Sequence, residues 1–220
     1  MATIGFIGSG GIGAAVARLA VAAGYDVVLS NSRGPQTLKD LVEELGPGAR
    51  AATPTEAATE GDLVMVGIPP RAYLAVPVQP LAGKPVMEAI NYIPQRDGAI
   101  PGLDDLSLSS SEVLQRHLGS AHVVKVFNNI TAQHLAALAR PAGAADRSTL
   151  PVAGNDPAAK HAVMRFVDAI GYDSIDAGAL RSGGHRFEFG ARAWVAPYGS
   201  FSDPRGTPAG VRAMRAVLGL

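Results

Sequence analysis

A cluster of glycines set between an apolar stretch and an alanine-rich one constrains this chain more than any other feature. Thr3–Gly8 is short and apolar, Ile12–Ala23 carries Val16, Leu19 and Ala20 at helical spacing, and between them stands Gly8-Ser9-Gly10-Gly11-Ile12-Gly13, a G-x-G-x-x-G pattern. This order reads as strand, tight turn and helix. Gly8 suits the turn, Gly10 leaves backbone open to close approach, and Gly13 lets the helix lie against the strand. A helix amino terminus with unpaired N–H groups attracts an anion, so a diphosphate is expected against Gly8, Ser9, Gly10, Gly11, Ile12 and Gly13. The plain alternative is a glycine-rich turn without a ligand.

The pattern repeats in coarser form along the chain. Asp26–Leu29, Asp62–Ile68, Val86–Asn91 and His122–Asn128 are apolar enough to be strands covered on both faces. Gly24 stands where the first helix would stop, and further helices are expected at Gln36–Leu45, Thr55–Thr59 and Ser110–Leu118, with loop over 94–107. Beyond position 147 a strand-helix-strand unit, Thr149–Val152, Pro157–Ile170 and Asp173–Asp176, can extend the same sheet. The tail is less regular, with helix expected at Phe187–Ala196 and Val211–Leu218. The fold class is therefore α/β, a Rossmann-type doubly wound and mostly parallel sheet with a small carboxy-terminal extension. A nucleotide-binding domain over 1–180 and a helical tail over 181–220 follow from it.

Composition removes several function classes. The formal net charge is +0 and no long basic run is present, so nothing favours nucleic acid. The absence of cysteine excludes disulfides, thiolate metal sites and a cysteine nucleophile. The five histidines are scattered without H-x-x-x-H spacing, and neither a metal cluster nor a nucleophile elbow is visible. The opening residues lack a charged leader and no apolar run reaches the roughly 20 residues of a membrane span, so a cytoplasmic protein without a membrane partner is expected.

The second strand selects among dinucleotides. An Asp or Glu about 20 residues past the glycine motif would accept from the adenosine ribose hydroxyls of NAD, and none stands there. Instead the strand ends Leu29-Ser30-Asn31-Ser32-Arg33, which offers Asn31, Ser32 and Arg33 to a ribose bearing a 2′-phosphate and favours NADP(H). The alternative makes Arg33 a solvated turn residue, and Lys39, one turn further, reads as surface.

Ligands of open α/β sheets lie beyond the carboxyl ends of the strands. There Ile68-Pro69-Pro70 forms a stiff wall, Asn91 ends the next strand, and Phe127-Asn128-Asn129-Ile130-Thr131-Ala132 ends the one after. Asn128 and Asn129 either orient polar ring atoms or cap the helix that begins near Thr131. His134 is either a packed or surface histidine or an acid near the site. No catalytic side chain is assigned, because direct hydride transfer needs alignment and no protein acid.

The ordered set IGFIGSGGIG, Asn31-Ser32-Arg33, VVKVFNNITA, LPVAGND and DAGAL resembles the NADPH-dependent reductases of the deazaflavin coenzyme F-420, and is similar to the reductase domain of the STEAP metalloreductases. The resemblance covers roughly residues 2–180. It implies hydride transfer between NADPH and F-420 or a flavin stacked on the nicotinamide. By motif, Ser9 and Ile12 would touch the diphosphate, Ser32 and Arg33 the 2′-phosphate, and Ile68, Pro69, Ile130 and Ala132 the nicotinamide, with Asn31 or Ser32 as the phosphate ligand beside Arg33. Other readings keep NADPH but replace F-420 by a ferric chelate or a small imine or carbonyl compound, or make the protein a redox sensor without turnover. From Arg181 onward six arginines stand against two acids, which can attract an anionic coenzyme or form a solvated or subunit-facing tail. Trp194, Tyr198 and Phe201 are packing residues or, in a homodimer, platforms over a neighbouring site.

Overall fold

A computed structural model describes residues 2–220. Eight strands run in the chain as β1 Thr3–Ile7, β2 Asp26–Ser30, β3 Ala49–Ala51, β4 Leu63–Val66, β5 Pro85–Glu88, β6 His122–Lys125, β7 Thr149–Gly154 and β8 Asp173–Gly178. They form one sheet in the order β3-β2-β1-β4-β5-β6-β7-β8. All pairings are parallel except β6 with β7. The first six follow the doubly wound Rossmann order, with its reversal between β1 and β4, where a crevice opens above the strand ends.

Among the described residues nine helices connect and flank the strands: α1 Gly11–Ala22, α2 Lys39–Leu45, α3 Pro54–Glu60, α4 Pro94–Asp97, α5 Ser110–Leu118, α6 Ala132–Leu138, α7 Pro157–Ala169, α8 Leu180–Gly184 and α9 Val211–Leu218. Local chemistry starts several of them. Thr53 with Glu56 and Ser109 with Glu112 form reciprocal capping boxes at α3 and α5, and Asp156 accepts from Ala159 N–H at 2.7 Å ahead of Pro157 in α7.

Side chains alternate between two apolar layers, as the period of a strand requires. In β4, Leu63 and Met65 join Phe6, Val16 and Phe166 on one side, whereas Val64 and Val66 join Val86, Val123 and Leu114 on the other. Helices α1 and α6 pack together over the first layer. The tail shares that core through Phe187, Tyr198, Met214 and Leu218.

Several sequence expectations change. The span 94–107 contains the one-turn helix α4, because Pro94 opens it and Asp97 accepts the Ile93 N–H at 3.0 Å. Phe187–Ala196 is not a helix: Gly190 and Val195 take positive φ, and short 3-10 turns at His185–Phe187 and Ala196–Tyr198 flank them. Such φ values cannot continue an α-helix. The edge strand β3 and the glycine-rich α8 were not anticipated. No helix among the described residues is long and apolar enough to cross a membrane.

Candidate functional site

The glycine turn closes against two strands at once. Gly8 has φ +103°, donates its N–H to Ser30 O at 3.0 Å, and lies so near β4 that a Cβ there would sit 2.6 Å from Gly67 O. A Cβ on Gly13 would meet Gly8 O at 2.3 Å, so α1 can rest on the end of β1 only with glycine at that position. Ser9 Oγ donates to Ser30 O at 3.0 Å and Ser30 Oγ to Phe6 O at 2.7 Å, which fastens the ends of β1 and β2 together.

Gly10 differs from its neighbours. A Cβ added there would meet nothing within 4 Å. Gly10 is the N-cap of α1 without a side-chain cap, and the first turn carries no acid. Helices α3, α5, α6 and α7 are all capped by side chains. The start of α1 thus presents unsatisfied N–H groups and the positive end of a helix to open space.

That space is a cavity of about 300 Å³. Gly10, Gly11, Ile12 and Gly13 form one wall, Gly67, Ile68 and Pro69 a second, and Ala89, Ile90, Asn91, Ile93 and Arg96 a third. A wider depression of about 420 Å³ lies between the far end of α1 and Arg140 and Asp168, away from the carboxyl ends of the first strands. Its position matches no ligand rule for this fold.

Of the remaining residues singled out in the sequence, Asn31 is committed to its turn. Its Oδ1 accepts from Arg33 N at 2.9 Å, and its Nδ2 donates to Thr37 Oγ1 at 2.8 Å. Ser32 and Arg33 are exposed, and their side chains have no partner among the described residues. Lys39 is exposed and lies 3.7 Å from Glu43. Pro70 is buried and starts the 3-10 turn Pro70–Ala75.

Beyond β6 the chain turns sharply. Phe127, fully buried, takes φ +67°, a conformation that costs a non-glycine residue about 1–3 kcal/mol and is held here by its surroundings. Asn128 Nδ2 donates to Asn91 Oδ1 at 3.1 Å and to Phe187 O at 2.8 Å, and Asn91 Nδ2 returns a bond to Asn128 O at 2.6 Å. Asn129 Nδ2 donates to Ala193 O at 3.0 Å. Neither asparagine caps α6: Thr131 does, accepting from His134 N at 3.1 Å, because its hydroxyl is the one at the cap position. Ile130 is buried in the core, and Ala132 stands in the first turn of α6 opposite Gly11. His134 is buried, with Nε2 2.9 Å from Asp203 O, a packed histidine that is not part of the cavity lining. Tyr198 is fully buried, whereas Trp194 stacks edge-on between Phe189 and Phe201 nearer the surface.

A buried charged cluster under the cavity floor was missed by sequence reasoning. Glu88 and Lys125 are register partners on β5 and β6 with no exposure, and Lys125 Nζ lies 2.9 Å from Glu88 Oε2. Glu88 Oε1 accepts from Tyr73 OH at 3.1 Å and from Ile90 N at 3.0 Å, and Lys125 also reaches Ile90 O at 3.3 Å. Both backbone groups of a floor residue are thus held by buried charges. From the tail, Glu188 lies 3.3 Å from Lys125, accepts from Ser110 N at 2.9 Å, and pairs with His185 at 2.8 Å. Burial pushes the Glu188 carboxyl up, but the Lys125 charge, the His185 and Ser110 hydrogen bonds and the His185 charge outweigh it and hold the carboxyl far below its ordinary value. The available signal was one charged residue inside each of two otherwise apolar runs, Val-Met-Glu-Ala-Ile and Val-Val-Lys-Val-Phe.

The uncapped glycine turn and the cavity lie together beyond the carboxyl ends of β1 and β4. Residues 3–92 match the family described as NADP oxidoreductase, coenzyme F420-dependent. The stretch matched to these NADP oxidoreductases runs from β1 through β5 and contains the glycine turn, Arg33, Ile68, Pro69 and Asn91. The resemblance to the F-420 reductases read from the sequence is borne out over that stretch. Among solved structures, a hypothetical protein of Sinorhizobium meliloti is similar with a TM-score of 0.76 and 29% identity, over 89% of this chain and 94% of that one. A proposed F420-dependent NADP reductase of Arthrobacter sp. FB24 gives 0.69 and 26%, over 84% and 89%. The pyrroline-5-carboxylate reductase of Streptococcus pyogenes gives 0.57 and 17%, over 84% and 60%, a likeness of fold alone. Comparison with curated proteins gives no match.

Proposed function

We propose that this chain moves a hydride between NADPH and the deazaflavin coenzyme F-420, with residues 1–180 holding the nucleotide and 181–220 forming a carboxy-terminal tail packed on the same core. The observation that carries this reading is the open, uncapped start of α1 at Gly10, facing a cavity whose far walls are strand ends. The residues fit a dinucleotide: free N–H groups without a neighbouring acid suit a diphosphate, and an exposed, unpaired Arg33 beside Ser32 suits a 2′-phosphate.

When bound, NADPH supplies the hydride. The N–H groups of Gly11, Ile12 and Gly13 hold the diphosphate, and Ser32 and Arg33 select the phosphorylated ribose. Ile68 and Pro69 shield one side of the ring from water, while Asn91, locked by Asn128, keeps the opposite wall in place. Ile130 and Ala132 support that arrangement from the core side. Alignment at fixed distance accounts for the chemistry without a protein acid.

Stopped-flow absorbance with purified protein tests the reading. NADPH oxidation by F-420, and not by free flavin, is the expected result. Oxidation by flavin alone would move the activity to a flavin reductase, and tight NADPH binding without oxidation by any acceptor would refute turnover.

A further inference from the structure

The cavity has one cationic wall, and the arginine that makes it so, Arg96, lies just beyond the segment matched to the NADP oxidoreductases. Arg96, on α4, is fixed by its neighbours: Nε donates to Asp97 Oδ1 at 2.8 Å, and Nη2 to Asp97 Oδ2 and Asn91 O, both at 2.7 Å. The Asp97 carboxylate has no exposure and also accepts the Ile93 N–H. Burial pushes that carboxyl up, but the bonds from Arg96 and Ile93 and the charges of Arg96 and Arg71 outweigh burial and hold it below its ordinary value.

One group of this wall, Arg96 Nη1, and one near the wall in the chain, Arg71, have no structural use. Arg96 Nη1 has no partner among the described residues, although the side chain lines the cavity and is 46% exposed. Arg71, two residues past Pro69, is exposed and makes no hydrogen bond or ion pair among the described residues, yet stands near enough to act on Asp97. Arg96 is the guanidinium that pairs with this covered carboxylate, and Arg71 adds only its charge. The next acid, Asp104, is engaged by the Tyr92 hydroxyl. A guanidinium held rigidly with a spare N–H is preorganised for a carboxylate or phosphate oxygen.

On the reading above, the start of α1 and Arg33 take the nucleotide's own phosphates. Arg33 lies in the turn after β2 and Arg96 follows β5, and those two strands are three steps apart in the order β2-β1-β4-β5, or about 14 Å at the usual spacing. We infer that Arg96, with Arg71 beside it, recognises an acidic group on the redox partner, so that the site takes a phosphate- or carboxylate-bearing deazaflavin or flavin in preference to its uncharged counterpart. The inference rests on the reading that such a ring meets the nicotinamide in this cavity.

Equilibrium fluorescence titration of the NADP-loaded protein tests it with two matched pairs: F-420 against its deazaflavin core without phosphate and glutamates, and FMN against riboflavin. The wild type is expected to hold the charged member of the pair it binds about ten-fold or more tightly. Arg96→Gln and Arg71→Gln should each shrink that preference, and Arg71→Gln should leave NADP affinity unchanged. Arg71→Gln removes no scaffolding bond, so its folding is not in question. Equal wild-type affinity within each pair, binding of neither ring, a preference surviving in the double variant, or a matching loss of NADP affinity would each overturn the inference. A charge preference in binding without NADPH oxidation would uphold the acid-recognising wall and remove only hydride transfer to that ring.

Discussion

Lys125 Nζ lies 2.9 Å from Glu88 Oε2 on the neighbouring strand, and neither side chain reaches solvent. Two buried charges tolerate each other's company only while paired. Lys125→Met should therefore leave Glu88 and Glu188 without their cation and cost about 3–5 kcal/mol in urea unfolding. The double variant Glu88→Gln with Lys125→Met should cost less than Lys125→Met alone. A loss under about 1 kcal/mol for the single variant would show that the pair does not hold the floor.

Two glycines of one motif should separate folding from binding. Gly13→Ala drives a Cβ to 2.3 Å from Gly8 O and should destabilise by about 1–3 kcal/mol. Gly10→Ala meets empty space at φ −74° and should unfold within about 0.5 kcal/mol of wild type while binding NADPH roughly ten-fold or more weakly. Calorimetric titration and thermal melts of both variants distinguish these outcomes, and unchanged affinity in Gly10→Ala would take the diphosphate away from α1.

Arg33→Ala removes an exposed guanidinium without a partner, so stability should stay within about 0.5 kcal/mol of wild type. NADPH affinity should fall about ten-fold or more and NADH affinity should not change. Equal losses for the two nucleotides would remove Arg33 from the phosphate site.

The His185–Glu188 pair gives a pH window. The Glu188 hydrogen bond raises the His185 pKa above its ordinary 6.5, so this contribution is complete below 6.5 and is lost as pH rises through the folded value. Glu188 is held below its ordinary 4.5, so its contribution is complete above 4.5 and is lost as pH falls toward the folded value. Both act between 4.5 and 6.5. Urea midpoints across pH should show that His185→Asn flattens the alkaline limb and that Glu188→Gln flattens both; an unaltered profile in either variant would contradict the pairing.

The strand, turn and helix around Gly8, Gly10 and Gly13 were legible in the amino-acid order, because each glycine answers a local backbone demand and its neighbours are adjacent in the chain. The strand at His122 and the capped helix at Ser110 were legible for the same reason. Phe187–Ala196 read as helix from its composition, yet the chain there bends to give Phe187 O to Asn128 and Ala193 O to Asn129, partners about 60 residues away.

What the sequence determined by itself is a Rossmann unit with an anion-ready turn and an arginine in place of the usual acid after the second strand, since those signals are periodic or short-range. Only the tertiary structure decided that Glu88 faces Lys125, that Asn91 and Asn128 lock together, and that the covered carboxylate of Asp97 holds Arg96 against the cavity. Register and burial set those meetings. Neither exists until the sheet has assembled.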